Sequence, residues 1–158
     1  MSKRHVLIVT CALLLSNAMG GLDSTIINTA LPAIISDLHG IQLMGWIVAV
    51  FLLGTAVTTP LWSKLGEYIG NKSAYQIATS LFVIGAFLEG MSPNIYFLIV
   101  ARTIMGIGNG GMTSLPYIIY AKLYQNPHKR TQVLGFVTAS FSTATIIGPL
   151  VGGWIVDT

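Results

Sequence analysis

Residues 40–63 read GIQLMGWIVAVFLLGTAVTTPLWS, and no side chain among them is charged. About 20 predominantly apolar residues are enough to cross roughly 30 Å of hydrocarbon as a helix. The same uncharged character recurs from Thr103 to Ala121 and from Thr131 to Val156. Across all 158 residues, 53% are hydrophobic and 8% are charged, and the mean hydropathy is +0.74. A soluble domain carries about 25% charged residues, so a surface this apolar needs lipid around it.

Working outward from that stretch, the charges separate five apolar segments: residues 6–35, 44–62, 73–90, 94–120 and 132–156. Backbone groups in lipid must be satisfied within the segment, which makes each of them a helix. The alternation expected of a transmembrane barrel strand is absent. The expected fold is therefore all-α, a polytopic transmembrane helix bundle.

Lys and Arg set the expected orientation. Lys3 and Arg4 precede the first segment, Lys64 and Lys72 flank the second link, and Lys122, Lys129 and Arg130 fill the fourth. The links around Asp37–Leu43 and Ser92–Asn94 have neither residue. The positive-inside rule then puts the N-terminus in the cytoplasm and the C-terminus outside the cell. Trp46 and Trp62 are about 24 Å apart at the helical rise, and read as anchors at the two interfaces. The net charge of +3 resides mainly in the inner links, so it reports topology and gives no reason to expect nucleic acid.

Two features of the first segment have competing readings. Lys3 and Arg4, the apolar run 6–15 and Ser16-Asn17-Ala18 resemble a signal peptide. The apolar pattern resumes after Gly21, which favours one continuous helix. Cys11 is the single cysteine, which excludes an intrachain disulfide and a cysteine-cluster metal site.

Ionisable residues inside a span cost about 2.5–3.5 kcal/mol each at the centre and usually mark a pathway or a pairing. Asp23 in the first span and Arg102 in the fourth are the opposite-sign pair placed to meet within the membrane. Arg102, Gly106, Asn109, Gly110 and Thr113 recur at steps of three and four, so they share a face. Ser16, Gly20 and Asp23 do so on the first helix, and Thr138, Ser142, Thr145, Pro149 and Gly152 on the fifth. Such stripes ordinarily pack against other helices, and packing alone explains the fifth. It explains Asp23 and Arg102 poorly, because Leu would cost less there. Moving an acid and its cation apart changes the acid's hold on a proton, so the pair is expected to couple protons to movement. Glu89, at the end of the third span, reads as an interfacial residue reaching headgroups and water. The glycines from Gly108 to Gly111 are expected to loosen the fourth helix.

Four stretches resemble the major facilitator superfamily, and specifically its fourteen-span drug:proton antiporter branch. Residues 22–34, LDSTIINTALPAI, look like that branch's first-span signature, with the acid at Asp23. Residues 60–72, PLWSKLGEYIGNK, resemble the cytoplasmic loop motif that latches one transport state. Gly66, Gly70 and Lys72 fit it, with Glu67 where Asp is usual, Ser63 where Gly is usual and Asn71 where Arg is usual. Residues 98–111, LIVARTIMGIGNGG, resemble the fourth-span motif, whose Arg is implicated in proton transfer. Residues 148–153, GPLVGG, resemble the antiporter motif of the fifth span, in which Gly148, Pro149, Gly152 and Gly153 kink and pack the helix.

The resemblance implies proton coupling through Asp23 and Arg102, a conformational loop at Gly66, Glu67, Gly70 and Lys72, and packing at Gly106, Gly110 and the fifth-span glycines. It implies an amphipathic small-molecule substrate, protons as coupling ion with no bound cofactor or metal, and a place in the plasma membrane. A half-domain in this family has six spans, and five are present here. The chain is therefore expected to be a partial N-terminal half, unable to perform antiport without the missing C-terminal half. Two alternatives stand beside a multidrug exporter: a metabolite exporter of the same superfamily, and a non-transporting, truncated membrane protein. An enzyme is not expected. His5, His39 and His128 lie in separate surface regions, and no metal-ligand cluster or phosphate-binding loop is present.

Overall fold

The computed structural model describes residues 2–39 and 41–158. Five long helices follow one another: α1 (Lys3–Leu38), α2 (Met44–Ile69), α3 (Asn71–Gly90), α4 (Ile95–Leu123) and α5 (Pro127–Asp157). A single 3-10 turn, Ile41–Leu43, precedes α2, and the described residues contain no strand. Four helices, α1, α2, α4 and α5, are long and apolar enough to cross a membrane. The chain is thus a multi-pass membrane protein. The 20 residues of α3 extend about 30 Å at 1.5 Å per residue. That length also suits a span, but with Asn71, Lys72, Gln76 and Glu89 in its sequence α3 is not among the four helices apolar enough to count as one.

The helices outrun the apolar segments read from the sequence. The additional turns are polar or basic: α2 carries Lys64 and Glu67 beyond Trp62, and α5 begins with His128, Lys129 and Arg130. Side-chain caps fix the starts of α4 and α5, whereas α2 and α3 start without one. The Asn94 side chain accepts from the Phe97 amide at 2.9 Å, and that of Asn126 from the His128 amide at 3.0 Å, ahead of Pro127 in the first turn of α5. Such caps satisfy amides that have no intrahelical partner. Pro32, Pro60, Pro116 and Pro149 all lie inside helices, and each helix continues through its proline. The signal-like stretch 16–18 likewise lies within unbroken α1.

The chain divides into two compact units. One comprises residues 1–30 and 116–158, the other residues 31–115. In the first, α5 packs on α1 through small residues. A Cβ on Gly148 would overlap the Thr25 hydroxyl, one on Gly152 would meet Thr29 Cβ at 3.1 Å, and one on Gly21 would meet Ala144 Cβ at 3.2 Å. Asn17 donates to the Val137 carbonyl at 3.2 Å, and Thr10 and Tyr124 share a 2.8 Å hydrogen bond. The packed side of α5 is Val137, Ala144, Gly148 and Gly152. Of the stripe read from the sequence, Gly152 lies on this side, whereas Thr138, Ser142, Thr145 and Pro149 are exposed and their places are taken by residues one position earlier, as at Val137, Ala144 and Gly148. Small residues, whatever their polarity, let helix backbones approach.

In the second unit, the C-terminal turns of α1 pack with α2, α3 and α4 around two apolar clusters. Leu31, Ile35, Ile47, Ile95 and Leu98 form one, and Phe51, Phe82, Met105 and Met112 the other. Leu52, Leu53, Val57 and Leu61 of α2 are exposed, an apolar outer face suited to lipid.

Candidate functional site

The site is built on α4. Over half (56%) of its most apolar stretch is buried, against 11–17% for the other three spans. Its glycines make this possible. A Cβ on Gly106 would lie 2.5 Å from the Phe51 carbonyl oxygen of α2, and one on Gly110 3.0 Å from the Thr55 carbonyl. One on Gly108 would lie 2.5 Å from the Phe82 amide of α3. The α4 glycines therefore bring its backbone against both neighbours, and the helix is unbroken from Ile95 to Leu123.

Hydrogen bonds add to this packing along α2. Thr55 Oγ1 donates to the Gly106 carbonyl at 3.2 Å and accepts from Asn109 Nδ2 at 3.2 Å. Thr58 Oγ1 and Trp62 Nε1 both donate to the Ile107 carbonyl, at 3.2 and 2.7 Å. Trp62 is 5% exposed and thus belongs to the helix–helix contact. The interfacial anchor expected from its position is corrected by that hydrogen bond, while Trp46 remains exposed.

Arg102 sits about 10 Å along α4 from Ile95 at the helical rise. It is 2% exposed. Its Cζ lies 4.2 Å from the centroid of the Phe51 ring, a cation–π arrangement. Its Nη1 lies 3.7 Å from Oε2 of Glu89, whose side chain is 15% exposed. Glu89 therefore turns inward to the guanidinium, which corrects the interfacial reading. Two geometric reasons account for this. Side chains on a helix lean toward its N-terminus, so Arg102 reaches back toward the α3–α4 turn. Ala74, Ala78, Phe82 and Gly85 are the buried stripe of α3, and Glu89 continues it four residues on. Gly85 lets α4 approach there, since a Cβ would lie 2.8 Å from the Met105 amide.

Asp23 belongs to the first unit and is half-buried. At 100° per residue it lies about 200° round α1 from Gly21, on the side away from α5. Its neighbours Thr25 and Thr29 carry the α5 contact. The signature stretch thus has two sides, one for packing and one for the acid.

The conformational motif is mostly helix. α2 runs to Ile69, α3 begins at Asn71, and the chain turns at Gly70 alone. Gly70 has φ +92° and ψ 141°, a conformation open essentially to glycine. A Cβ on Gly66 would lie 2.5 Å from Asn71 Oδ1 and 3.0 Å from Leu115 Cδ2. Asn71 thus reaches back across the turn to Gly66. Glu67 and Lys72 are exposed. Gly153, by contrast with Gly148 and Gly152, faces open space. Among the described residues, no three His, Cys, Asp or Glu side chains come together as a metal site requires.

Phe51, Thr55, Thr58 and the inward role of Glu89 were not singled out from the sequence. Their signal was present, because Phe51, Thr55, Thr58 and Trp62 recur at steps of four, three and four on α2.

The family model of the Major Facilitator Superfamily matches residues 13–158. The chain belongs to the major facilitator superfamily. Among curated relatives it is similar to the multidrug transporter protein MdtP of Bacillus subtilis, with 35% identity over 156 residues, covering 99% of this chain and 28% of that protein. It is similar to the efflux pump dotC of Dothistroma septosporum, with 35% identity over 148 residues, covering 94% of the chain and 25% of the relative. It is also similar to multidrug resistance protein 3 of B. subtilis, with 32% identity and shares of 94% and 29%. This major facilitator chain therefore spans about a quarter of the length of these relatives. Family membership points to transport rather than enzymatic chemistry.

Proposed function

We propose that this chain is the N-terminal segment of a proton-coupled exporter of amphipathic, drug-like molecules, from the fourteen-span antiporter branch of the superfamily. The observation that carries the reading is Arg102, a permanent cation 2% exposed on an apolar spanning helix. A buried charge at that depth is expensive unless it has a task or a partner. Relatives named as multidrug transporters and efflux pumps support the substrate class. In this reading Asp23 takes up and releases the proton and Arg102 assists the transfer, with no bound cofactor. The turn at Gly66–Lys72 lies on the cytoplasmic side and takes part in switching between states, and the first and last residues of the chain lie inside and outside the plasma membrane.

The activity belongs to the intact gene product, in which this segment works with a C-terminal half. Cells expressing it and loaded with ethidium, a lipophilic aromatic cation, should export the dye faster than control cells. A protonophore should abolish the difference. Export that persists after the proton gradient has collapsed contradicts proton coupling, and no export contradicts the drug-like substrate class.

A further inference from the structure

The third helix supplies an acid that the scheme above leaves unused. A carboxylate one residue from a helix end ordinarily turns outward to water or headgroups. Glu89 does the opposite, with Oε2 3.7 Å from Arg102 Nη1 and a side chain 15% exposed. The same guanidinium rests on Phe51, with Cζ 4.2 Å from the ring centroid. Arg102 therefore meets both a carboxylate from α3 and an aromatic ring from α2.

A guanidinium does not titrate in a protein, whereas a carboxylate does. Of these groups, Glu89 is the one whose charge can change. Arg102 of α4 faces it, and the guanidinium in turn meets the uncharged Phe51 ring of α2. With Glu89 ionised, the guanidinium is held toward the α3–α4 turn. With Glu89 protonated from bulk water, that Coulomb hold is lost.

We propose that Glu89 is a positioning residue for Arg102, holding the guanidinium against Phe51 and thereby setting the pH range over which transport is coupled. This rests on the proton-coupled reading above. It adds a second acid, on a different helix from Asp23, to the control of the same cation.

The test uses the intact gene product in inside-out membrane vesicles, with ethidium as the probe. The readouts are the rate of protonophore-sensitive uptake across a pH series and the half-saturating ethidium concentration. Glu89→Gln should move the midpoint of the pH profile by about one unit or more, with half-saturation unchanged. Glu89→Asp, which keeps the charge, should retain the wild-type profile. A Glu89→Gln profile that superimposes on wild type overturns the proposal. Should Glu89→Gln fail to reach the membrane, Phe51→Leu releases the guanidinium from the ring without removing a charge. A shifted profile in that variant sustains the proposal and an unshifted one overturns it. Wild-type vesicles without protonophore-sensitive uptake overturn the transporter reading itself, a result distinct from an unshifted variant.

Discussion

Gly148 of α5 stands so close to Thr25 of α1 that a Cβ on the glycine would overlap the threonine hydroxyl. The glycine of the fifth-span motif thus packs on the first-span stretch that carries Asp23, two residues from the acid and on another side of the helix. Gly148→Leu should therefore destabilise the detergent-solubilised protein by about 1–3 kcal/mol or more through overpacking. Gly153→Ala is the control. Nothing lies within 4 Å of a Cβ there, so the variant should gain about 0.5–1 kcal/mol from the better helix former. Thermal unfolding of both variants measures the contrast.

Gly70 predicts a different kind of cost. A Cβ there meets no neighbour, yet φ is +92°. Gly70→Ala should lose about 1–3 kcal/mol through backbone strain alone. In unfolding experiments Asn71→Ala should cost less, because it leaves the turn's φ untouched.

Trp62 donates to the Ile107 carbonyl at 2.7 Å, a carbonyl that also receives Thr58. Trp62→Phe keeps most of the ring and removes the donor. A loss of about 0.5–1.5 kcal/mol is expected. A loss close to zero would show that Thr58 alone satisfies that carbonyl.

Arg102 and Glu89 should behave as a coupled pair. Removing one partner of a buried ion pair strands the other charge and costs about 3–5 kcal/mol. Arg102→Leu should therefore be less stable than the double variant Arg102→Leu, Glu89→Gln. Strict additivity of the two single changes in a double-mutant cycle would contradict the pairing.

Much of this arrangement was legible in the sequence, for physical reasons that also explain the misses. Uncharged stretches such as 40–63 announce helices because lipid leaves the backbone few other options. Asp23 and Arg102 stood out because ions are costly in apolar surroundings. Glu89 reads as interfacial from its proximity to a span end, whereas its place on the Ala74–Ala78–Phe82–Gly85 stripe of α3 decides where it points. The α5 register was missed because Thr138, Ser142 and Thr145 were weighted by polarity, while the size of Ala144, Gly148 and Gly152 governs the contact. Position along α2 alone makes Trp62 an interfacial anchor, yet its indole donor reaches the Ile107 carbonyl.

The central claim is that Asp23 carries the proton in drug export. The most direct measurement reconstitutes the intact gene product in liposomes containing a pH-sensitive dye and imposes an ethidium gradient. Wild type should move protons against the direction of ethidium, and Asp23→Asn should not, although it still inserts and binds ethidium. Proton movement in Asp23→Asn equal to that of wild type would contradict the account.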